Sequence, residues 1–224
     1  QGDLTLQGTQ VLQNQTGLLQ AGHNLNINVA VIDNSSFGQI NTQGSATLQS
    51  TGLINNDTGV ITANQDITLT SQGLNNTHGQ IGSVAGSLVL HSGDQIFNNQ
   101  SGSLLSNNQI NIQTTGLNNS QGQIVAQQLL DINAELEMLN NQNGLLSSDT
   151  VNVTSGVFNN DQGLVQAKTS LVLDTNGQNL VNTNSDAQGG LLSQGNLSLK
   201  NIGLLDNKLG YLASGQNLDI GVNQ

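Results

Sequence analysis

Apolar and polar residues alternate in short runs along the whole chain, and each run is only three to five residues long. Alternation with a period of two residues is typical of half-buried β-strands. The sequence lacks any stretch of helical length whose apolar residues would fall on one face of a helix. Glycine and asparagine separate the runs. The pattern therefore predicts an all-β protein of short strands joined by tight turns.

The runs belong to an internal repeat. Its unit is apolar-x-Asn-x-x-Gly-x-apolar followed by a closing apolar-x-apolar pair, and ten units recur about every 21 residues. Three short strands cannot bury a core alone, but identical units stacked on one another can. The sequence therefore predicts a parallel β-helix, or β-solenoid, of about ten coils with three short strands per coil. The repeated asparagines are Asn14, Asn34, Asn56, Asn76, Asn99, Asn119, Asn141, Asn160, Asn182 and Asn207.

Stacking places equivalent residues of successive units in columns along the solenoid. We expect the asparagines to form a hydrogen-bonded ladder, as stacked amides do in cross-β structures. We expect the turn glycines to be needed because they tolerate positive φ. The apolar residue two positions after each turn glycine should face the core. These residues are Leu19, Ile40, Ile61, Ile81, Leu104, Ile124, Leu146, Val165, Leu192 and Leu212.

Composition and charge exclude several classes of function. The formal charge is −11, and the chain has only three basic residues other than histidine. We therefore expect no nucleic-acid binding, which needs cations to neutralise phosphates. The chain has no cysteine, which excludes a disulfide scaffold and a thiol nucleophile. It also has no run of 18 apolar residues, so we expect no membrane span.

The few lysines lie beside carboxylates when the units are aligned. Asp149 falls beside Lys168, and Asp174 falls beside Lys200 in the adjacent coil. Neighbouring strands are about 4.8 Å apart, so the alignment predicts two cross-coil ion pairs. Because both pairs are exposed, each should stabilise the fold by no more than about 1 kcal/mol.

The repeat does not bring residues that could carry catalysis or bind a metal close to one another. The three histidines occupy different positions of the unit, so we expect no metal and no cofactor. Asp57 and Asp161 share a column but lie five coils apart, whereas glycoside hydrolysis needs two facing carboxylates. We therefore expect a protein that is not an enzyme. A polysaccharide-degrading β-helix enzyme is the weakest alternative.

Breaks in the repeat are the candidate recognition sites, because identical coils form only a rod. Phe37 is an extra apolar residue in one turn, and residues 183–188, which include Asp186, lengthen another. Glu135 and Glu137 belong to the one local cluster of carboxylates in the sequence. Loops that protrude from a rigid scaffold are common binding sites.

Two phrases of the repeat carry a resemblance to a known family. Gly73-Leu-Asn-Asn-Thr-His-Gly-Gln-Ile81 and Gly116-Leu-Asn-Asn-Ser-Gln-Gly-Gln-Ile124 resemble the haemagglutinin repeats of filamentous haemagglutinin-like exoproteins. The resemblance extends from Leu4 to Ile220. It implies a right-handed parallel β-helix that Gram-negative bacteria secrete to the cell surface through an outer-membrane two-partner transporter. The family includes host-cell adhesins and the toxin stalks of contact-dependent growth inhibition.

The resemblance implies a rigid rod that presents an adhesive or toxic domain to other cells. In the alternative, the coils themselves bind a cell-surface receptor or a carbohydrate. We expect residues 1–224 to be a single solenoid segment excised from a longer rod, because both ends fall at the same strand of the unit. Neither end carries a polar cap, so the open strand edges predict end-to-end self-association.

Overall fold

The computed structural model describes residues 2–186 and 188–223. These residues form 29 strands and no helix. The strands stack in parallel, each pairing with its counterpart in the next coil. The predicted all-β parallel solenoid of ten coils, with about 21 residues and three strands per coil, is confirmed. We number the coils one to ten by their asparagines, from Asn14 to Asn207, and the three strands of each coil define faces 1, 2 and 3.

Face 1 holds the shortest strands, which lead directly into the asparagine turns. Each strand places one residue in the core before the turn begins, and Phe97 and Phe158 are fully buried in this way. The face 1 strands are Val11–Gln13, Val31–Asp33, Leu53–Asn55, Gly73–Asn75, Phe97–Asn98, Leu117–Asn118, Leu139–Asn140, Phe158–Asn159, Leu180–Val181 and Leu205–Asp206.

Face 2 follows the turn, and its inward column contains fully buried residues such as Ile61 and Ile124. In coils seven and eight the face 2 strand continues without a turn into face 3, which gives the long strands Leu145–Thr154 and Leu164–Asp174. The other face 2 strands are Leu18–Ala21, Gln39–Thr42, Val60–Ala63, Gln80–Ser83, Ser103–Ser106, Gln123–Ala126, Gly190–Ser193 and Leu212–Ser214.

Face 3 completes each coil with two inward residues per strand, such as Leu25 and Ile27, which are buried. In coil ten, the last coil of the described residues, the corresponding residues Leu218 and Ile220 are exposed. The face 3 strands are Leu4–Gln7, Leu25–Val29, Ala46–Ser50, Ile67–Ser71, Leu88–Ser92, Gln109–Thr114, Leu129–Asn133, Asn196–Ile202 and Leu218–Val222.

The prediction that Leu192 belongs to the core column of face 2 is wrong. Val165 pairs with Leu191, which is fully buried, whereas Leu192 is only half-buried and occupies the outward position. The sequence has two consecutive glycines here, and the prediction aligned Gly190 with the turn glycine. The structure places Gly189 at that position, since Gly190 already pairs with the first strand residue of coil eight.

The turn glycines are required for space, which corrects the expectation that they supply positive φ. In the turn of coil six, the positive φ of 58° belongs to Gln121 and not to Gly122. A Cβ on Gly122 would clash with the carbonyl oxygen of Asn99 in the coil below, and it would lie 2.6 Å from Asn119 Oδ1. A larger residue at this position would therefore push two coils apart.

Candidate functional site

The ten repeated asparagines form one continuous ladder along the edge between faces 1 and 2. From Asn14 to Asn182, each side-chain Nδ2 donates a hydrogen bond to Oδ1 of the asparagine in the next coil, at 2.7–2.9 Å, and the last of these bonds reaches Asn207. The eight amides from Asn34 to Asn182 are fully buried. Because buried polar groups are costly unless hydrogen-bonded, each amide depends on its neighbours.

Each ladder amide also holds the backbone on both sides of it. Asn119 Nδ2 donates to Asn141 Oδ1 at 2.7 Å and approaches the carbonyl oxygens of Gly122 and Leu145 at 3.3 Å. Its Oδ1 accepts from Asn99 Nδ2 at 2.7 Å. One side chain thus closes its own turn and fixes the position of the next coil.

A second row of asparagines, which sequence reasoning missed, lies beside the ladder. Asn118 Nδ2 donates to Asn98 Oδ1 at 3.0 Å, and Asn159 Nδ2 donates to Asn140 Oδ1 at 2.9 Å. These side chains are half-buried. Their oxygens also accept from backbone N–H groups of the turn, as Asn118 Oδ1 does from Ser120 at 3.2 Å. The frequent Asn-Asn doublet in the unit was the available signal.

Phe37 protrudes from the turn of coil two, and its side chain is 74% exposed. It has a φ of 67° and follows Ser36, whose φ is 54°. Left-handed backbone is unfavourable for a bulky residue, so this conformation reflects the extra residue in the turn. Asn34 still donates to the Gly38 carbonyl at 3.1 Å and keeps its place in the ladder. The insertion therefore leaves the rod intact.

The lengthened turn of coil nine is anchored by a carboxylate from coil eight. Asp161 Oδ1 accepts hydrogen bonds from Thr183 Oγ1 and Asn184 Nδ2, both at 2.7 Å. Asp186 lies exposed at the end of this turn, and its Oδ1 accepts from the backbone N–H of Gln188 at 2.9 Å. Ala187, also part of the predicted recognition segment, lies outside the described residues.

The anchoring of this turn should depend on pH. The hydrogen bonds from Thr183, and next those from Asn184, lower the pKa of Asp161 below its usual value. The folded-state pKa then lies below the unfolded value of about 3.9. The stabilisation is therefore present above about pH 4 and is lost as the pH falls through the folded pKa.

We expect Asp161→Asn to reduce the acid dependence of stability, because the substituted amide does not titrate. Thermal midpoints of both proteins between neutral pH and about pH 3 would measure this difference. The variant should lose less stability than the wild-type chain on acidification. An identical acid dependence would show that Asp161 does not anchor the turn through its charge.

Glu135 and Glu137 lie on the turn between coils six and seven, on either side of the exposed Leu136. Together with Asp94 and Ile96, this turn lines a shallow groove. Across residues 2–186 and 188–223, no cluster of three or more histidine, aspartate or glutamate side chains is arranged to hold a metal ion. The four candidate recognition residues are not brought together, because the turns of coils two and nine are seven coils apart and the Glu135–Glu137 turn occupies another edge.

One of the two predicted ion pairs is confirmed. Lys168 Nζ lies 3.6 Å from Asp149 Oδ1. Asp174 faces Lys200 in the strand register, but among the described residues no ion pair within 4.0 Å joins them. The Asp174 carboxylate instead accepts hydrogen bonds from the backbone N–H of Asn176 and from Asn201 Nδ2, both at 2.8 Å. Local amides therefore displace the lysine.

A groove of about 590 Å³ crosses face 2 from coil six to coil ten. The Asp149–Lys168 pair lines it, together with Gln127, Gln166 and Gln194. Tyr211, which is half-exposed, also lines the groove in coil ten. This arrangement places an aromatic residue, three glutamines and a pair of opposite charges around one concave surface.

Comparison with known proteins identifies the repeat. The sequence model of the haemagglutinin repeat matches five overlapping segments, residues 1–62, 38–96, 83–137, 129–184 and 175–224. Neither curated proteins nor solved structures give a significant match. Within the described ranges, no helix is long and apolar enough to cross a membrane. Since the five matches together span the whole chain, this protein belongs to the haemagglutinin-repeat family.

Proposed function

We propose that this chain is a rigid rod segment of a secreted surface exoprotein, and that it presents an adhesive or toxic domain to other cells. The unbroken asparagine ladder is the observation that supports this function most strongly. A ladder that continues through ten coils fixes the position of each coil on the next. The repetition produces length and stiffness.

Bending such a stack would be costly because every coil covers the next. The inward residues of coils two to nine are almost all fully buried. Backbone hydrogen bonds also join adjacent coils in the turns, as between Asn119 N and the Asn140 carbonyl at 2.7 Å. A bend would open close-packed core and break several of these bonds together.

Membership in the repeat family supports a secreted or cell-surface location. We propose export from a Gram-negative cell through an outer-membrane two-partner transporter. A chain without cysteine forms no disulfides that would hinder passage through a narrow pore in the unfolded state. A host-cell adhesin and a stalk for contact-dependent growth inhibition would both use such a rod.

Deletion of whole coils tests the presentation function. Removing residues 57–99 joins Asn56 to Gln100, which takes out two coils and preserves the order of faces. Removing residues 57–89 instead breaks the order of faces, and this out-of-phase deletion is the control. Each version would be displayed on cells through an outer-membrane anchor, with a small binding domain at its far end. We expect the in-phase deletion to fold and bind soluble ligand normally but to capture ligand-coated beads less well. Bead capture independent of coil number would contradict the proposal.

The groove of face 2 supports a second candidate function, carbohydrate binding. An aromatic ring packs against the C–H face of a sugar, and amides and carboxylates hydrogen-bond its hydroxyls. On a glycan array, Tyr211→Ala should weaken any binding by about tenfold or more. Phe37→Ala, which removes an exposed aromatic residue outside the groove, is the control. Equal binding by both variants, or no binding by the wild-type chain, would exclude the groove as a glycan site.

We also propose that the chain has no catalytic activity. In the groove of face 2 the one carboxylate, Asp149, is paired with Lys168. Glycoside hydrolysis uses two carboxylates with separate roles. This proposal would be contradicted if the purified chain released reducing ends from polysaccharides and the Asp149→Asn variant did not.

A further inference from the structure

The groove of face 2 lies where the repeat changes at the corner between faces 2 and 3. In coils seven and eight one long strand runs through this corner. Ser148 pairs with Ala167, but Thr150 pairs with Ser170, so coil eight holds one residue more than coil seven at the corner. A bulge of this kind bends a strand and redirects its side chains. The groove is therefore a local departure from the regular rod.

Two buried serine hydroxyls in the groove lack hydrogen-bond partners. Ser148 is 8% exposed and Ser193 is 5% exposed, and both line the groove. Among the described residues, neither Oγ has a partner. The equivalent serine of coil five does have one, since Ser106 Oγ donates to the Gly86 carbonyl at 2.9 Å. A buried hydroxyl without a partner costs stability, so these two groups point to a hydrogen-bonding partner outside the chain.

A row of polar side chains, one from each coil, runs along the rod beside these serines. This polar row consists of Gln127, Asp149, Lys168 and Gln194, in coils six to nine. Because neighbouring coils are about 4.8 Å apart, the groove extends for about 19 Å from coil six to coil ten. Its length and its regular spacing suit an extended molecule that carries hydrogen-bonding groups at intervals.

The far end of the groove is more apolar and depends on the lengthened turn of coil nine. Leu192 pairs with Ala213 in the strand register, and Tyr211 lines the groove beside them. The backbone N–H of Tyr211 donates to Ser185 Oγ in the lengthened turn at 2.9 Å, and its carbonyl accepts from Asn182 Nδ2 at 3.1 Å. This break in the repeat therefore holds the one aromatic residue of the groove in place.

The groove carries no net charge, although the formal charge of the chain is −11. Its two charged residues are Asp149 and Lys168, which pair with each other at 3.6 Å. An anion would be repelled by Asp149 as it is attracted by Lys168, whereas a neutral hydroxyl can donate to the carboxylate and accept from the ammonium group. The face 2 backbone of coils seven to nine is already paired on both sides, so the groove offers no strand edge to a peptide.

We propose that the groove binds a neutral linear oligosaccharide that lies along the rod over coils six to ten. The proposal rests on carbohydrate binding as the function of this groove. The C–H faces of the sugar rings pack against Tyr211 and Leu192, and the sugar hydroxyls form hydrogen bonds with the polar row. Serine has three staggered rotamers, so Ser148 and Ser193 can turn toward the sugar, which then supplies the missing partners.

An array of defined glycans tests the class of ligand. The probes are linear tetrasaccharides of glucose, galactose, mannose and N-acetylglucosamine, their monosaccharides and their sulfated forms. We expect the wild-type chain to bind a neutral tetrasaccharide at least tenfold more tightly than its monosaccharide and its sulfated form. Absence of all binding would overturn both the proposal and the function of the groove. A preference for sulfated forms, or equal binding of the monosaccharide, would overturn the proposal alone.

The role of the ion pair is tested by Asp149→Asn, which leaves Lys168 without its carboxylate. The preference should shift at least tenfold toward the sulfated tetrasaccharide. Asp94→Asn makes the same chemical change at an exposed residue on the edge between faces 3 and 1, and it should leave the preference unchanged. Equal preferences in these two variants would overturn the proposal, while a loss of binding in Tyr211→Ala would still support the groove as a glycan site.

The serine hydroxyls are tested by comparing binding with stability. Ser148→Ala/Ser193→Ala should weaken binding of the tetrasaccharide about tenfold. Its denaturant midpoint should be unchanged or higher, because the variant removes hydroxyls that have no partner in the chain. Ser106→Ala, which removes a hydroxyl that has a partner, should lower the midpoint and leave binding unchanged. A double variant that is destabilised but binds normally would overturn the proposal.

Discussion

Asn119→Asp is expected to destabilise the solenoid by about 3 kcal/mol or more. The substitution preserves shape but removes the donor that Asn119 offers to Asn141 Oδ1. It places a carboxylate in a fully buried position, where an acceptor faces another acceptor. Ionisation there is costly, and protonation satisfies only part of the lost network. The expected result is a large drop in the denaturant midpoint.

The neighbouring residue provides a matched control for this substitution. Asn118→Asp makes the same chemical change in the half-buried second row, where water can solvate the charge. We expect it to cost roughly 1 kcal/mol or less. Denaturant melts of the two variants under identical conditions measure the difference. Similar midpoints would show that the buried ladder contributes no more to stability than the outer row.

Ile124→Asp is expected to unfold the central coils. Ile124 is fully buried in the inward column of face 2, between Leu104 and Leu146 of the adjacent coils. An unpaired carboxylate in that position costs several kcal/mol. Because each coil is stabilised by its neighbours, the loss should extend beyond coil six.

Gln123→Asp is the control, since Gln123 precedes Ile124 in the same strand and is exposed. Circular dichroism and amide hydrogen exchange should be close to wild type for this variant. The Ile124→Asp chain should instead lose strand signal and protection in coils five to seven. Unchanged protection there would mean that the column does not face the core.

Much of the fold could be predicted from the sequence because each coil repeats the same physical problem. The same apolar and turn positions recur in ten units, so the period and the inward columns can be recognised without any long-range information. The asparagine of the ladder was visible for the same reason, since a buried amide with a fixed partner recurs at a fixed position. The Asn118 row was less visible because half-buried positions tolerate substitutes such as Asp33 and Val181.

Other features depend on contacts between coils that spacing does not reveal. The pair Gly189–Gly190 offered two alignments, and only packing selects Leu191 for the core. Turn glycines were expected to have positive φ, but the close approach of the adjacent coil explains their presence at positions such as Gly122. Hydrogen bonds from Asn201 and Asn176 to Asp174 likewise could not be deduced from column alignment.

Distances between spin labels test the central claim, a rigid stack of coils, most directly. Thr47, Asn152 and Ser198 occupy one outward column of face 3 in coils two, seven and nine. Labels on cysteines at Thr47 and Asn152 should lie about 24 Å apart, and labels at Thr47 and Ser198 about 34 Å apart, since each coil adds about 4.8 Å. A rigid rod predicts narrow distributions at both distances. Broad distributions, or a separation that does not increase with the number of coils, would contradict it.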